Sequence, residues 1–382
     1  MKLPIYLDNN STTPLDPEVL KSMMPYLTEK YGNPASKMHN FGIEADVAVE
    51  IAREKISYLI GASPAEIIFT SGATESINLA LKGFAESNQS EKIHIITTSV
   101  EHQAVLDTCK ALEKFGVSVS YLPVDSYGLI NIDVLKNEIK NNTRLVSINT
   151  ANNEIGTIQP VAEIGEICKE HNILFHTDAT QAVGKIPFDV NSLNADLVSF
   201  SAHKIYGPKG IGTLIIKNKK PKIKLTEQIS GGGQEKGLRS GTLNVPAIVG
   251  FGEAARLCRE KLYLENFRTS VLRDRLMQNL IQNIPGTKLN GHSVKRLPGN
   301  VSVSIDGVNN NLLISYTRDV AFSTGSACSS ESMKPSHVLK AMGRSEEEIK
   351  CSIRFGIGRF NTNEEIDYVI KYLINTVKKI RK

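Results

Sequence analysis

Between about residues 45 and 250, short apolar runs alternate with stretches whose apolar positions recur every three to four residues. The runs EIIFT (66–70), IHIITT (93–98), VSVSYLPV (117–124), RLVSINT (144–150), ILFHTD (173–178), DLVSFS (196–201) and GTLIIK (212–217) predict strands. The helical spacing predicts helices over 43–60, 75–86, about 102–115 and about 161–171. Apolar strands separated by helices of ordinary length imply an α/β fold, a mostly parallel sheet covered by helices on both faces.

From about residue 255 the pattern changes. A long amphipathic helix over 253–283 leads into NVSVSI (300–305), NLLISYT (311–317) and VAFSTG (320–325). A helix at 335–342, the run IRFGIG (353–358) and a final helix from 362 follow. We expect a large domain over 14–255 and a smaller α+β domain made of 1–13 and 256–382, with a loop at about 323–334.

Composition changes this picture little. The 382 residues are 41% hydrophobic and 22% charged, as in an ordinary globular chain that can bury a sizeable core. The net charge of +5 is mild, and the basic run Lys217-Asn218-Lys219-Lys220-Pro221-Lys222-Ile223-Lys224 carries no aromatic residues. It reads as a solvated loop, so direct nucleic-acid binding is not expected. No apolar run is long enough for a signal peptide or a membrane span, which points to a cytoplasmic protein without membrane partners. The five cysteines are odd in number and lack CxxC spacing, which argues against a disulfide framework and against a metal site.

In a parallel α/β sheet, ligands bind beyond the carboxyl ends of the strands. Four segments with chemistry to offer fall there. Thr70-Ser71-Gly72-Ala73-Thr74-Glu75-Ser76 joins a strand to a helix, and its small residues and free N–H groups suit an anion. A plain capping loop with Ser71 or Thr74 as N-cap explains the same residues. Asp178 ends an apolar strand, where a carboxylate needs a cationic partner such as a protonated pyridine nitrogen; capping the next helix is the alternative. Lys204 follows another strand between His203 and a glycine-rich turn, a place where a desolvated amine can form an imine. Cys328 lies in Ser323-Thr324-Gly325-Ser326-Ala327-Cys328-Ser329-Ser330, a small, polar stretch that we expect to be flexible and exposed. Cys109, Cys168 and Cys258 instead fall on apolar helical patterns.

Together these segments resemble the cysteine desulfurases, pyridoxal-phosphate (PLP) enzymes of fold type I in the class V aminotransferase family. The resemblance covers nearly the whole chain: YLDNNSTTPLDPEV (6–19), YGNPAS (31–36), SGATES (71–76), VEHQAV (100–105), NNEIG (152–156), HTDATQAVGK (176–185), SFSAHKIYGPKG (199–210), GGGQEKGLRSGTLN (231–244), STGSACSS (323–330) and IRFGIGRFNT (353–362). The form of STGSACSS resembles the group I members. The chain ends at NTVKKIRK, short of the tail by which housekeeping members dock the cluster scaffold, so a nitrogen-fixation-type or shortened relative is expected.

The resemblance implies a seven-stranded sheet, PLP as cofactor and L-cysteine as substrate. Sulfur would pass to a persulfide on Cys328, with alanine released. Lys204 would carry PLP and shuttle a proton, Asp178 would pair with the ring nitrogen, and His102 would stack on the ring and take part in proton transfer. Asn153 and Gln181 would bind the phenolic oxygen. Ala73, Thr74, Ser201 and His203 would hold the phosphate, joined by Thr242 from the neighbouring subunit of a homodimer. Arg354 and Asn33 would take the substrate carboxylate. The sulfur acceptor would be an iron–sulfur scaffold or a tRNA-thiolation enzyme. A selenocysteine lyase-like enzyme would have no need of the Cys328 loop, and a non-catalytic docking subunit would be expected to have lost Lys204, Asp178 or Cys328.

Overall fold

The computed structural model describes residues 2–89, 92–324 and 335–382. In chain order the first half runs β1 (Ile5–Tyr6), α1 (Pro17–Thr28), α2 (Asn40–Ile60), β2 (Ile67–Thr70), α3 (Ala73–Ser87), β3 (His94–Thr98), α4 (Gln103–Glu113) and β4 (Ser118–Leu122). It continues with α5 (Ile132–Glu138), β5 (Thr143–Ser147), α6 (Val161–Glu170), β6 (Leu174–Asp178), β7 (Leu197–Ser201) and β8 (Gly212–Ile216). The strands from β2 to β8 form one seven-stranded sheet in the order β2-β8-β7-β6-β5-β3-β4. Only β8 runs against its neighbours β2 and β7, so the sheet is mostly parallel. Strands β2, β3 and β7 are buried along their whole length, and β5, β6 and β8 nearly so, which is why they read as near-continuous apolar runs.

The second half begins with α7 (Val245–Asn283), eight residues earlier than its apolar periodicity marks. Asn244 accepts a hydrogen bond from Ala247 N, and Pro246 sits at the helix start, where a missing N–H costs nothing. Then come β9 (Thr287–Leu289), β10 (Asn300–Ile305), α8 (Asn310–Tyr316), β11 (Val320–Ala321), α9 (His337–Ala341), α10 (Glu346–Lys350), β12 (Ser352–Gly356) and α11 (Asn363–Ile380). The run NLLISYT is thus a helix, α8, capped by Asn309; its apolar residues were too short a sample to separate helix from strand. The antiparallel sheet β12-β10-β9 and the two-stranded β1-β11 pair complete this half.

Each half has its own apolar core. Ile67, Phe69, Val146, Phe175, Phe200 and the first third of α7, through Phe251 and Cys258, belong to one. Leu272, Leu276 and Leu280 further along α7 pack with Ile5, Val301, Val303, Phe355 and Leu373 in another. The N-terminal segment crosses back over both. Leu7 O accepts from Gly356 N, and Asn9 N donates to Gly356 O at 3.0 Å. A Cβ on Gly356 would lie 2.5 Å from Asn10 N, so only glycine lets the two backbones meet here.

A buried ion pair fastens α2 to the sheet. Arg53 donates to both carboxylate oxygens of Glu235 at 2.8 and 3.1 Å and to Ile67 O at 2.8 Å, while Phe69 N also donates to Glu235. Removing one partner strands the other charge in the interior. Arg53→Ala is therefore expected to lower stability by about 3–5 kcal/mol, read as a lower urea midpoint. The double variant R53M/E235Q, which leaves no buried charge, should lose clearly less.

Candidate active site

A cavity of about 480 Å³ opens at the carboxyl ends of the parallel strands. The antiparallel β8 shapes it. Because β8 lies between β2 and β7, those two strands run the same way, and Thr70 and Ser201 end on one side of the sheet. Gly212, opposite both, presses on the first loop: a Cβ there would lie 2.6 Å from Gly72 Cα. The Ser71-Gly72 turn and the Ser201-to-Lys204 turn thus meet across a glycine.

The first wall is the start of α3. Gly72 is its N-cap and offers no side-chain hydrogen bond, so the first-turn N–H groups of Ala73 and Thr74 are left for a ligand or water. Neither Ser71 nor Thr74 caps the helix. Glu75 reaches back to accept from Ser71 N at 2.7 Å and from Arg239 Nε at 3.0 Å. These donors hold its carboxyl below the ordinary range despite the opposing effect of burial.

The second wall is β6 and the turn that follows it. Asp178 is buried at the strand end, and its Oδ1 accepts from Thr180 N at 2.9 Å. Thr180 Oγ1, also in the cavity wall, has no hydrogen-bond partner among the described residues. Two residues before Asp178, His176 is fully buried between the hydroxyls of Ser147 and Ser199 at 2.8 and 2.9 Å. Burial pushes its pKa down to about 4, so it is neutral.

Lys204 closes a single 3-10 turn after β7 and is 8% exposed. Its ammonium donates to Asn10 O at 2.7 Å and to Ser11 O at 2.5 Å. Beside it, His203 Nδ1 meets Thr12 Oγ1 at 3.1 Å, and burial with the neighbouring Lys204 charge pushes this imidazole down to about 4. Ser201 is buried, with its hydroxyl on Ile211 O at 3.2 Å.

His102 caps α4 by accepting from Ala104 N at 3.1 Å and lines the cavity with Asn149 and Asn153. The adjacent Glu101 is buried. Its Oε1 accepts from Thr98 Oγ1 and Asn149 N, whereas Oε2 has no partner among the described residues. Burial pushes this carboxyl up to about 8.

Arg354 comes to the same place from the other sheet. It is 1% exposed on β12 and donates to Asp8 Oδ1 at 2.8 Å, Ser11 Oγ at 2.7 Å and Asn153 O at 2.9 Å. Ser11 and Asn153 are themselves cavity-wall residues. Ser323 exchanges backbone hydrogen bonds with Arg354 at 2.7 and 3.1 Å. Beyond it, Ser336 Oγ donates to Glu154 Oε2 at 2.5 Å, and His337 Nε2 lies 2.9 Å from Glu101 O.

The structure thus brings Ala73, Thr74, His102, Asn153, Asp178, Gln181, Ser201, His203 and Lys204 to one cavity, with Arg354 bonded to its wall. It does not bring Asn33 or Thr242 there within one chain. Asn33 is exposed and lines a different cavity with Gln234 and Glu235, and Thr242 is exposed outside the wall. Cys328 lies outside the described residues. Cys109 and Cys168 are buried thiols pushed up to about 12, and Cys258 to about 11, by burial. None of the three is a nucleophile at ordinary pH. Sequence reasoning missed Asp8, Asn10, Ser11 and Thr180. Asn10 and the second Lys204 contact work through backbone carbonyls, which residue type does not announce.

The donor set fits PLP: open helix N–H groups suit a phosphate, a buried carboxylate suits a pyridinium, and one amine stands between them.

The family model of the class-V aminotransferases matches residues 5–369. Cysteine desulfurase IscS of Rickettsia typhi is 50% identical over 382 residues, covering 100% of this chain and 93% of that protein. Among solved structures, a NifS-like protein superposes with a TM-score of 0.92 at 41% identity, covering 99% of this chain and 100% of the other. A structure described as SspA in complex with cysteine reaches 0.82 at 39% identity over 94% of this chain and 100% of its own. The chain belongs to the class-V aminotransferase family, whose enzymes work with PLP.

Proposed function

We propose that this protein is a cysteine desulfurase that takes sulfur from L-cysteine as a persulfide on Cys328 and releases alanine. The observation that carries the reading is the seating of the Lys204 ammonium in one cavity with Asp178 and the uncapped start of α3. Lys204 would carry the PLP, Asp178 would pair with its ring nitrogen, His102 would lie against the ring, and Asn153 and Gln181 would bind its phenolic oxygen. Ala73, Thr74, Ser201 and His203 hold the phosphate. When bound, PLP supplies the electron sink that lets the substrate α-carbon exchange its proton.

The chain's own residues supply the rest. Arg354 binds the substrate carboxylate, held at the cavity edge by Asp8 and by the carbonyl of Asn153. Lys204 would be the group that moves the substrate α-proton. Cys328 attacks as thiolate: its sulfur bonds the substrate sulfur, the substrate carbon–sulfur bond breaks, and that electron pair stays with the carbon skeleton. Protonation of the skeleton then gives alanine. Ser323 on one side of Cys328 and Ser336 on the other are fastened to Arg354 and to Glu154, beside Asn153, which supports delivery of this thiol to the cavity.

The working unit in this reading is a cytoplasmic homodimer that hands sulfur to an acceptor protein, an iron–sulfur scaffold or a thiolation enzyme. Its support is the apolar surface of the α1–α2 region, where Tyr31 is 72% and Met38 95% exposed beside Leu27, Phe41 and Val47. Asn33 stands in that stretch. Asn33 and Thr242 then act on the partner's cavity, which explains why neither lies at its own.

Purified, PLP-loaded wild type should give equal amounts of alanine and sulfide from cysteine, whereas Cys328→Ser should bind cysteine and lose sulfide release. Undiminished turnover in that variant would move the acceptor role elsewhere. Lys204→Ala should lose the borohydride-reducible PLP linkage and at least about 10²-fold in rate. Mixing a Thr242 variant with a Lys204 variant should restore part of the activity through hybrid dimers; none at all would remove the shared site.

A pH test addresses Glu101. Its folded value of about 8 lies above the unfolded carboxyl value, so between about pH 4 and pH 8 the folded chain keeps a proton that the unfolded chain releases. Stability falls as pH rises through that window. Glu101→Gln, which imitates the protonated acid, should match wild type near pH 5 and exceed it near pH 8.5 in denaturant titrations.

A further inference from the structure

One half-buried lysine close to the cavity has no part in the reaction as described. Lys185 lies one helical turn after Gln181 in the segment Gln181-Ala182-Val183-Gly184-Lys185. Its place is fixed at three points. Gly184 takes φ +74°, and a Cβ there would lie 2.9 Å from both Cys258 Sγ and Ile205 Cγ2, so this turn packs against α7 only as glycine. Lys185 N donates to Ala182 O at 3.0 Å, and Asn266 of α7 donates to Lys185 O at 3.0 Å. Its ammonium then points back and donates to Gln181 Oε1 at 2.8 Å.

That contact holds the Gln181 amide the same way round as the Asn10 carbonyl, which can only accept, requires. The two ends of an amide are nearly alike in shape, and their assignment rests on the partners they meet. An ammonium has three donors and no acceptor, so the amide atom facing Lys185 has to be the oxygen. Asn10 Nδ2 also donates to that oxygen, at 3.2 Å. The amino end of Gln181 is thereby turned the other way. One of its N–H groups reaches Asn10 O at 2.9 Å, and the same carbonyl accepts from Lys204. The second N–H remains for the cavity, whose wall includes Gln181.

We infer that Lys185 is a positioning residue that locks the Gln181 side chain with its N–H toward the PLP site, so that it donates to the phenolic oxygen. This rests on the reading that Lys204 and Gln181 hold PLP. Without Lys185 the amide keeps only its two contacts with Asn10, and its aim at that anionic oxygen is less firmly held. Burial, with the charge of Lys204, brings the Lys185 amine down to about 7, so its proton is held less firmly than on an ordinary lysine.

The test uses the full-length protein, PLP-depleted and titrated with PLP, and reads the dissociation constant and the pH midpoint of the visible PLP band. Lys185→Met is expected to weaken PLP binding by about three- to tenfold and to move the midpoint upward. In a Gln181→Ala background the same substitution should add less than about twofold. Lys185→Arg, which keeps a donor, should restore the midpoint toward wild type. Gln181→Glu offers Lys185 an acceptor and the cavity no N–H, and it should shift the band even if Lys185→Met does not fold. A wild-type band in Lys185→Met or Gln181→Glu, a loss of equal size with and without Gln181, or a lower melting temperature with an unmoved band overturns the inference. A wild-type protein with no visible PLP band overturns the site reading beneath it.

Discussion

The site depends on a strap of backbone, residues 8–13, laid between two sheets. Its carbonyls at Asn10 and Ser11 take the Lys204 ammonium from the large sheet, and its side chains at Asp8 and Ser11 take the Arg354 guanidinium from the small one. Two cations that would otherwise repel each other across a desolvated space are each given oxygen partners by one short segment. The segment is itself held by the Gly356 contact and by Thr13, whose hydroxyl donates to His203 O and accepts from Tyr206 N. If the strap moves, the amine, the guanidinium and Gln181 move with it.

The surrounding electrostatics follow from what the strap does not cover. His176 is buried between two hydroxyls and His203 is half-buried beside Lys204, and desolvation leaves both neutral. Glu101 is buried without a cation and leans toward its acid form. Of the charged groups at the cavity, Glu75 and Lys204 each have partners within the chain. A compact site with neutral padding lets the remaining charges act at higher strength than they would in water.

Much of this was legible in the sequence because it rests on residue type. Apolar runs marked the buried strands of the large sheet, and Asp178 and Lys204 stood out because a charged residue ended such a run. The NLLISYT helix was not legible, since seven residues with two polar breaks fit either period. Nor was the early start of α7, where small residues such as Ala247, Gly250 and Gly252 pack against α1 and α2 without showing an apolar stripe. The strap was visible as a family pattern but not as a mechanism, because carbonyl oxygens look alike at every position. Asn33 and Thr242 lie away from the cavity of their own chain, and the resemblance alone had pointed Thr242 to a neighbouring subunit.

The helix α7 remains, 39 residues without a break, rooted in one apolar core and ending in the other. At 1.5 Å per residue it is a rod of about 58 Å. Enzymes that enclose their substrate by swinging one body over another need a pliable joint between the two. Here such a swing would have to bend a continuous hydrogen-bonded spine, against the grip of both cores at once. A rotation of one half against the other would therefore have to bend α7 or loosen its packing in one of those cores.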